Sequence, residues 1–266
     1  MALGSVDEVL MFLGLAAFCA GFVDAIVGGG GLIQVPALFG SFPSQSAASL
    51  FGTNKVASVS GTSFAAWRYL RVVRLPWTVV VPAVLSAGVF SWVGASLVSL
   101  LPRVVAQPLV LFLLVVVAAA TLRKPTLGLV HEPRFEGGRA MLASALVGSA
   151  LGFYDGFFGP GTGAFLIFVF VRWFGYDFLH ASAASKMVNV TTNFGALLFF
   201  IPQGEVIWAA AFVMAGCNIA GSFLGTRTAV RRGSAFVRVF FLGLLAVMIL
   251  RMAWTTAELM AWVDPI

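Results

Sequence analysis

The sequence predicts an all-α integral membrane protein built from two homologous halves. Hydrophobic residues make up 60% of the 266 residues and charged residues only 10%, whereas soluble domains carry about 25% charged residues. Apolar runs of about 18 or more residues, long enough to cross a bilayer as helices, recur along the chain. The alternating strands of a membrane barrel would give a different pattern, so helices are the spanning structure that this pattern favours.

Ten helical segments are predicted, about eight of them full transmembrane helices. The first half, 1–124, has segments at about 9–27, 31–42, 47–70, 75–100 and 104–122; a cytoplasmic linker covers 125–138; and the second half, 139–266, has segments at about 140–158, 163–174, 181–201, 206–228 and 236–257. Segments 31–42 and 163–174 rise only about 18 Å, too little for a core of about 30 Å, so we expect broken or re-entrant helices. The first segment follows Asp7 and Glu8 rather than basic residues, so it is predicted to be mature structure and not a signal peptide.

An internal repeat relates the two halves. When the sequence is shifted along itself so that Gly21-Phe22-x-Asp24 meets Gly152-Phe153-x-Asp155, the same shift aligns Lys55 with Lys186. Such self-similarity at one fixed offset indicates a duplication. The motifs Gly148-x-x-x-Gly152 and Gly221-x-x-x-Gly225 are predicted to pack helices closely, because glycine lets two backbones approach.

The basic residues predict how the segments are oriented. They cluster in three short connections: Arg68, Arg71 and Arg74; Arg123, Lys124, Arg134 and Arg139; and Arg227, Arg231, Arg232 and Arg238. By the positive-inside rule these connections are cytoplasmic and both chain ends lie on the far side. Segment 47–67 then runs inward and its counterpart 181–201 runs outward, which makes the halves an inverted repeat. Four helices per half would instead make the repeats parallel, and that alternative stays open.

Four charged residues remain inside the predicted membrane segments, namely Asp24, Lys55, Asp155 and Lys186. A charge within a membrane helix costs at least about 2.5–3.5 kcal/mol on insertion scales, so it normally faces a cavity or an ionic partner. Two interpretations follow. Either an aspartate–lysine salt bridge locks each half, or the lysines line a pathway for a substrate.

The surroundings of the lysines favour an anion site. Each lysine lies about 12 Å into its segment, and the two approach the membrane midplane from opposite sides. Small polar residues follow or precede them in the sequence: Thr53, Asn54 and Ser58 in the first half, and Ser185, Asn189, Thr191 and Asn193 in the second. Hydroxyls and amides beside a cation are the groups that replace the water around an oxyanion.

The glycine-rich stretches Gly28–Gly31 and Gly159–Gly163 are predicted to interrupt helices next to this site. A helix that restarts there presents backbone N–H groups and its positive dipole end to an anion. Irregular backbone within a membrane is tolerated where it lines a cavity or is buried in protein. Gly29, Gly30, Gly161 and Thr162 are therefore candidate substrate-binding residues, with close helix packing as the other explanation for the glycines.

Other site types are not supported by the sequence. No lysine follows the Gly159–Gly163 stretch as a phosphate-binding loop requires, and the basic loops are explained by orientation rather than by nucleic acid. His131 in a charged loop and His180 at a segment edge give no basis for a metal pair. Cys19 and Cys217 lie in apolar runs without a nearby partner. We therefore expect no enzyme activity, no cofactor and no metal.

At these residues the sequence resembles the sulfite exporter TauE/SafE family. The resemblance rests on "GFVDAIVGGGGLIQVPAL" and "GTNKVASVSGT" in the first half, and on "GFYDGFFGPGTGAF" and "ASKMVNVTTN" in the second, and it extends over about 9–257. It implies a transporter of sulfite, sulfonates or related organosulfur anions in a bacterial-type inner membrane.

The functional hypothesis is an ion- or proton-coupled secondary transporter of small sulfur oxyanions. Lys55 and Lys186 would bind the anion, and the polar residues assisting them are Asn54, Ser185, Asn189 and Asn193. Asp24 and Asp155 are the candidates for carrying a coupling proton. An anion channel or uncoupled permease, and a non-transporting membrane subunit, are the alternatives. The implied partners are the anionic substrate, the lipid bilayer and a proton, and a homodimer is compatible with the sequence.

Overall fold

The structure is a computed structural model that describes residues 6–98 and 127–263, with side chains left out at 248, 251–253 and 255–263. Within these ranges it is helical and contains no strand. The helices are α1 Val6–Val27, α2 Gly31–Ser41, α3 Ala47–Leu70, α4 Trp77–Ser96, α5 Gly137–Phe157, α6 Thr162–Arg172, α7 Phe178–Phe200 and α8 Trp208–Val263. The predicted segment 104–122 lies outside the described residues.

The helix lengths agree with the predicted division into long and short segments. Among the described residues, α1, α4, α5 and the part of α8 from Trp208 to Val247 are long and apolar enough to cross a membrane. Helices α3 and α7 have 24 and 23 residues, but each carries a buried lysine and several polar side chains. Helices α2 and α6 have only 11 residues each, a rise of about 16 Å, as expected of the segments that follow the glycine stretches.

One boundary differs from the prediction. Separate helices were expected at 206–228 and 236–257, and two helices do lie between Trp208 and Val263, but they join directly at a kink at the non-helical Gly233. Gly233 has a φ of 71°, a left-handed conformation that an L side chain rarely adopts. A single glycine therefore redirects the chain where we expected a longer loop.

The long helices of each half pack mainly against helices of the other half. Helix α1 packs along α8, and α5 packs along α4; α3 contacts α8, α4 contacts α7, and α3 and α7 contact each other. Glycines permit this: a Cβ on Gly21 would lie 2.3 Å from the Asn218 carbonyl oxygen, and one on Gly152 would lie 2.5 Å from that of Ala87. Each half is therefore buried against the other rather than folded on its own.

The two glycine-x-x-x-glycine motifs pack as predicted. A Cβ on Gly148 would lie 2.3 Å from the Ala83 carbonyl oxygen, and one on Gly221 would lie 2.0 Å from that of Phe18. Helices α5 and α8 can therefore approach α4 and α1 at backbone distance. The outward faces are apolar, with Met11, Leu142 and Phe212 more than 45% exposed, which suits contact with lipid acyl chains.

The glycine stretches touch each other at the centre of the molecule. Gly28, with a φ of +77°, follows α1, and a Cβ on it would lie 2.4 Å from the Gly163 carbonyl carbon; a Cβ on Gly163 would lie 2.4 Å from the Gly28 oxygen. Gly159, the counterpart of Gly28 in the other half, has a φ of +90°. The backbones of the two halves therefore cross in direct contact at these helix interruptions.

Gly28→Ala is expected to destabilise the protein by about 3 kcal/mol or more, because it combines overpacking against Gly163 with a strained backbone angle. Gly40→Ala is the matched control, since a Cβ there meets nothing within 4 Å. Thermal unfolding in detergent measures both variants. Equal melting temperatures for the two variants would contradict the crossing.

Candidate functional site

A small polar cavity lies where the two glycine stretches meet. Its volume is about 30 Å³, room for about two water molecules. Residues from both halves line it: Asp24, Gly28, Gly31, Asn54, Lys55, Ser58, Thr62, Asp155, Gly159, Gly161, Thr162, Gly163, Asn189 and Asn193. The polar side chains come mainly from α3 and α7, the two long helices that contact each other at the centre.

The four charged residues that the sequence places in membrane segments form two ion pairs, and each pair joins the two halves. The Lys55 ammonium nitrogen lies 2.7 Å from a carboxylate oxygen of Asp155, and it also donates to the Asp155 carbonyl at 2.8 Å. The Lys186 ammonium nitrogen lies 3.1 Å from a carboxylate oxygen of Asp24. The interpretation of a salt bridge within each half is therefore wrong. The pairs cross because α3 and α7 meet centrally and direct their lysines toward α5 and α1.

The two pairs differ in how fully they are enclosed. The side chains of Lys55 and Asp155 are 3% and 6% exposed, whereas Asp24 is 14% exposed and its partner Lys186 is not exposed at all. Asp24 also accepts hydrogen bonds from the Thr62 hydroxyl at 3.2 Å and from the Gly30 N–H at 3.4 Å. Both carboxylates line the cavity, and Asp24 is the more exposed of the two.

The structure brings most of the sequence-predicted site residues to this cavity. Eight line it, namely Asp24, Asn54, Lys55, Asp155, Gly161, Thr162, Asn189 and Asn193. Lys186 reaches it through Asp24, and the Gly30 N–H also points to that carboxylate. Besides Lys186 and Gly30, two further predicted residues do not line the cavity. The Ser185 hydroxyl donates to the Gly163 carbonyl at 3.2 Å, and Gly29 packs against Leu244. Ser185 thereby holds the glycine stretch in place.

Two polar residues beside the site were missed by the sequence analysis. Gln34 on α2 is fully buried, and Thr62 on α3 lines the cavity and binds Asp24. Within the described residues, the Gln34 side-chain nitrogen and the Asn54 side-chain oxygen have no hydrogen-bond partner. A buried polar atom without a partner costs about 1–3 kcal/mol, so these amides are suited to a bound water or ligand. A glutamine within an otherwise apolar short helix is the signal that would have identified Gln34.

Known proteins resemble this chain over most of its length. The model of the sulfite exporter TauE/SafE family matches residues 13–252. The probable membrane transporter protein YfcA of Escherichia coli K12 is 34% identical over 258 residues, which cover 96% of this chain and 93% of that protein. A probable membrane transporter protein of Haemophilus influenzae is 32% identical over 87% of this chain and 89% of its own length. No solved structure matches the chain.

Proposed function

The chain belongs to the sulfite exporter TauE/SafE family, and we propose that it is a coupled secondary transporter of small sulfur oxyanions such as sulfite. Membership makes it a multi-pass membrane transporter. The observation that carries the proposed substrate class is the polar cavity with one buried lysine on its wall and a second lysine behind Asp24. Ammonium groups, amides and hydroxyls at one point supply the donors that an oxyanion needs once it loses its water.

In this proposal a proton must bind together with the anion to keep the site electrically neutral. The two lysines and two aspartates neutralise each other, so an anion that enters the cavity adds uncompensated negative charge in a poorly solvated place. A proton on Asp24 removes that charge and frees Lys186 to bind the anion. Asp24 is the better carrier because it is the more exposed carboxylate, while Asp155 is held by the tighter pair. Anion and proton would thus cross the membrane together.

Movement of one half against the other would open the cavity. At about 30 Å³ the cavity holds water but leaves little room for a larger anion, so substrate entry requires the halves to separate. The crossed ion pairs and the Gly28–Gly163 contact lie between the halves, and each would break or re-form as the site opens. Such a movement would be alternating access, as inverted-repeat transporters carry it out.

The inverted repeat predicts opposite sidedness for equivalent loops. Single cysteines at Val72, after α3, and at Gln203, after α7, are both exposed and can be introduced into a Cys19→Ser, Cys217→Ser background. An impermeant maleimide added to intact cells is expected to label position 203 and not position 72. Labelling of both positions from the same side would favour parallel repeats instead.

Counterflow in proteoliposomes tests the proposed function. Vesicles loaded with unlabelled sulfite are expected to accumulate ³⁵S-sulfite transiently above its external concentration, because a carrier exchanges one anion for another. Sulfate and taurine in place of the internal sulfite test the substrate class. With the membrane potential held at zero by equal K⁺ on both sides and valinomycin, equilibration without an overshoot would indicate a channel or uncoupled permease. No protein-dependent flux would indicate a non-transporting subunit.

A further inference from the structure

A cluster of metal-ligating side chains lies outside the cavity, where the linker between the halves meets the start of α7. The chain has two histidines, and both are in this cluster with Asp177. The His180 Nδ1 is hydrogen-bonded to the Asp177 Oδ2, and the His131 Nδ1 lies 3.5 Å from the same oxygen. One ligand atom from each of the three residues lies within 4.8 Å of the others. No sequence pattern pairs the histidines, because α5 and α6 lie between them in the chain.

The fold holds Asp177 in an orientation that leaves one oxygen for the imidazoles. Asp177 is the N-cap of α7, and its Oδ1 accepts from the Leu179 N–H at 2.8 Å, the His180 N–H at 3.0 Å and the Ser234 hydroxyl at 2.7 Å. These bonds fix the carboxylate. Its Oδ2 therefore faces the two histidine rings.

Backbone hydrogen bonds bring His131 to this position. The linker N–H of Glu132 donates to the Gly175 carbonyl at 2.8 Å, and the Phe178 N–H donates to the Gly128 carbonyl at 2.9 Å. The His131 and His180 rings are in contact, with their centroids 4.0 Å apart and their planes tilted by 34°. The linker is thus anchored on both sides of His131, which limits how far the ring can move from Asp177.

An unpartnered nitrogen indicates that the cluster is incomplete. The His131 Nδ1 is a buried atom with no hydrogen-bond partner, although the remainder of its side chain is 31% exposed. The nearest acceptor, the Asp177 Oδ2, lies 3.5 Å away, which is too distant for a good hydrogen bond. A cation between the three residues would give the His131 nitrogen a partner and would replace the hydrogen bond between His180 and Asp177.

We propose that His131, Asp177 and His180 bind a divalent transition metal of the zinc class. Two imidazole nitrogens and one carboxylate oxygen are ligands that Zn²⁺ accepts, whereas Ca²⁺ and Mg²⁺ prefer sites made of oxygen. Zinc bonds of about 2.0–2.2 Å place ligand atoms within about 4.2 Å of one another. The three ligand atoms now lie within 4.8 Å of one another, so metal binding would require the partly exposed rings to rotate toward the metal. A water molecule would complete the coordination.

The metal would join three parts of the chain. His131 belongs to the linker, Asp177 and His180 begin α7, and Ser234, bonded to Asp177, follows the kink of α8. Helix α7 carries Lys186 further along. Metal binding would therefore anchor the start of a lysine-bearing helix to the linker. The metal site does not depend on the identity of the transported anion.

Zinc titration of the purified full-length protein tests the site. The protein must carry a non-histidine affinity tag, because its own two histidines are the residues under test. Competition with a chromogenic chelator is expected to show one Zn²⁺ per chain, and a higher melting temperature with Zn²⁺ than with EDTA. His131→Gln and His180→Gln are each expected to weaken zinc binding at least about 10-fold, since each removes a ligand.

Matched variants keep the test decisive. Glu136→Gln removes a nearby exposed charge outside the cluster, and Cys19→Ser, Cys217→Ser removes the thiols; both are expected to bind zinc as the wild type does. His131→Gln alters a partly exposed loop side chain, so its fold can be checked without zinc by melting temperature. Absence of stoichiometric zinc binding in the wild type, or wild-type affinity in folded His131→Gln, would overturn the site.

Discussion

Lys55→Met is expected to reduce sulfite transport at least about 100-fold, a loss of about 2.7 kcal/mol, and to destabilise the folded protein by about 3–5 kcal/mol. The side chains of Lys55 and Asp155 are only 3% and 6% exposed, so removal of the ammonium leaves a buried carboxylate without a counter-charge. Methionine keeps the length of the side chain and removes its charge. Proteoliposome uptake and thermal unfolding measure the two effects.

The paired variant Lys55→Met, Asp155→Asn separates binding from folding. It removes both charges of one crossed pair, so we expect most of the wild-type stability to return while transport stays lost, because a neutral pair no longer attracts an anion. Lys55→Met, Asp24→Asn is the matched control: it removes two charges that are not paired, and its stability is expected to stay low. Equal stability of the two double variants would contradict the crossed pairing.

Asp24→Asn is expected to abolish pH-driven accumulation while exchange of labelled for unlabelled sulfite continues. Asparagine resembles the protonated carboxyl group and can still accept from Thr62, so it mimics one state of the proposed proton carrier. Uphill uptake under an imposed pH gradient and counterflow without a gradient are the two measurements.

Asp155→Asn is the comparison for this experiment. Its partner Lys55 would lose its counter-charge, just as Lys186 does in Asp24→Asn, and both lysines are buried, so we expect both variants to lose stability. Transport is therefore compared on protein shown to be folded, and only Asp24→Asn is expected to lose pH-driven accumulation while it keeps exchange. If Asp24→Asn retains pH-driven accumulation, Asp24 does not carry the proton. If it loses counterflow as well, its role is structural.

Much of the site can be predicted from the sequence because each half contains the same aspartate, lysine and glycine positions. The constant offset between the two halves identifies Asp24, Lys55, Asp155 and Lys186 as two equivalent sets, and the rarity of charge in these segments singles them out. The glycine stretches are likewise recognisable as interruptions of helices. In the structure both features lie at one cavity.

The pairing of those charges could not be predicted from the sequence. Lys55 lies much nearer to Asp24 than to Asp155 along the chain, yet its ammonium group meets the more distant carboxylate. The choice depends on how α3 and α7 cross at the centre, which is a property of tertiary packing. The proximity of His131 and His180 was missed for the same reason, since backbone contacts of the linker bring them together.

Direct binding of ³⁵S-sulfite to the purified protein, in detergent and without oxygen, tests the central claim that the crossed lysine–aspartate cavity holds the anion. The wild type is predicted to bind sulfite saturably. The variant Lys55→Met, Asp155→Asn, once shown by its melting temperature to be folded, is predicted to bind none within the same concentration range. Wild-type sulfite affinity in that folded variant would contradict the account.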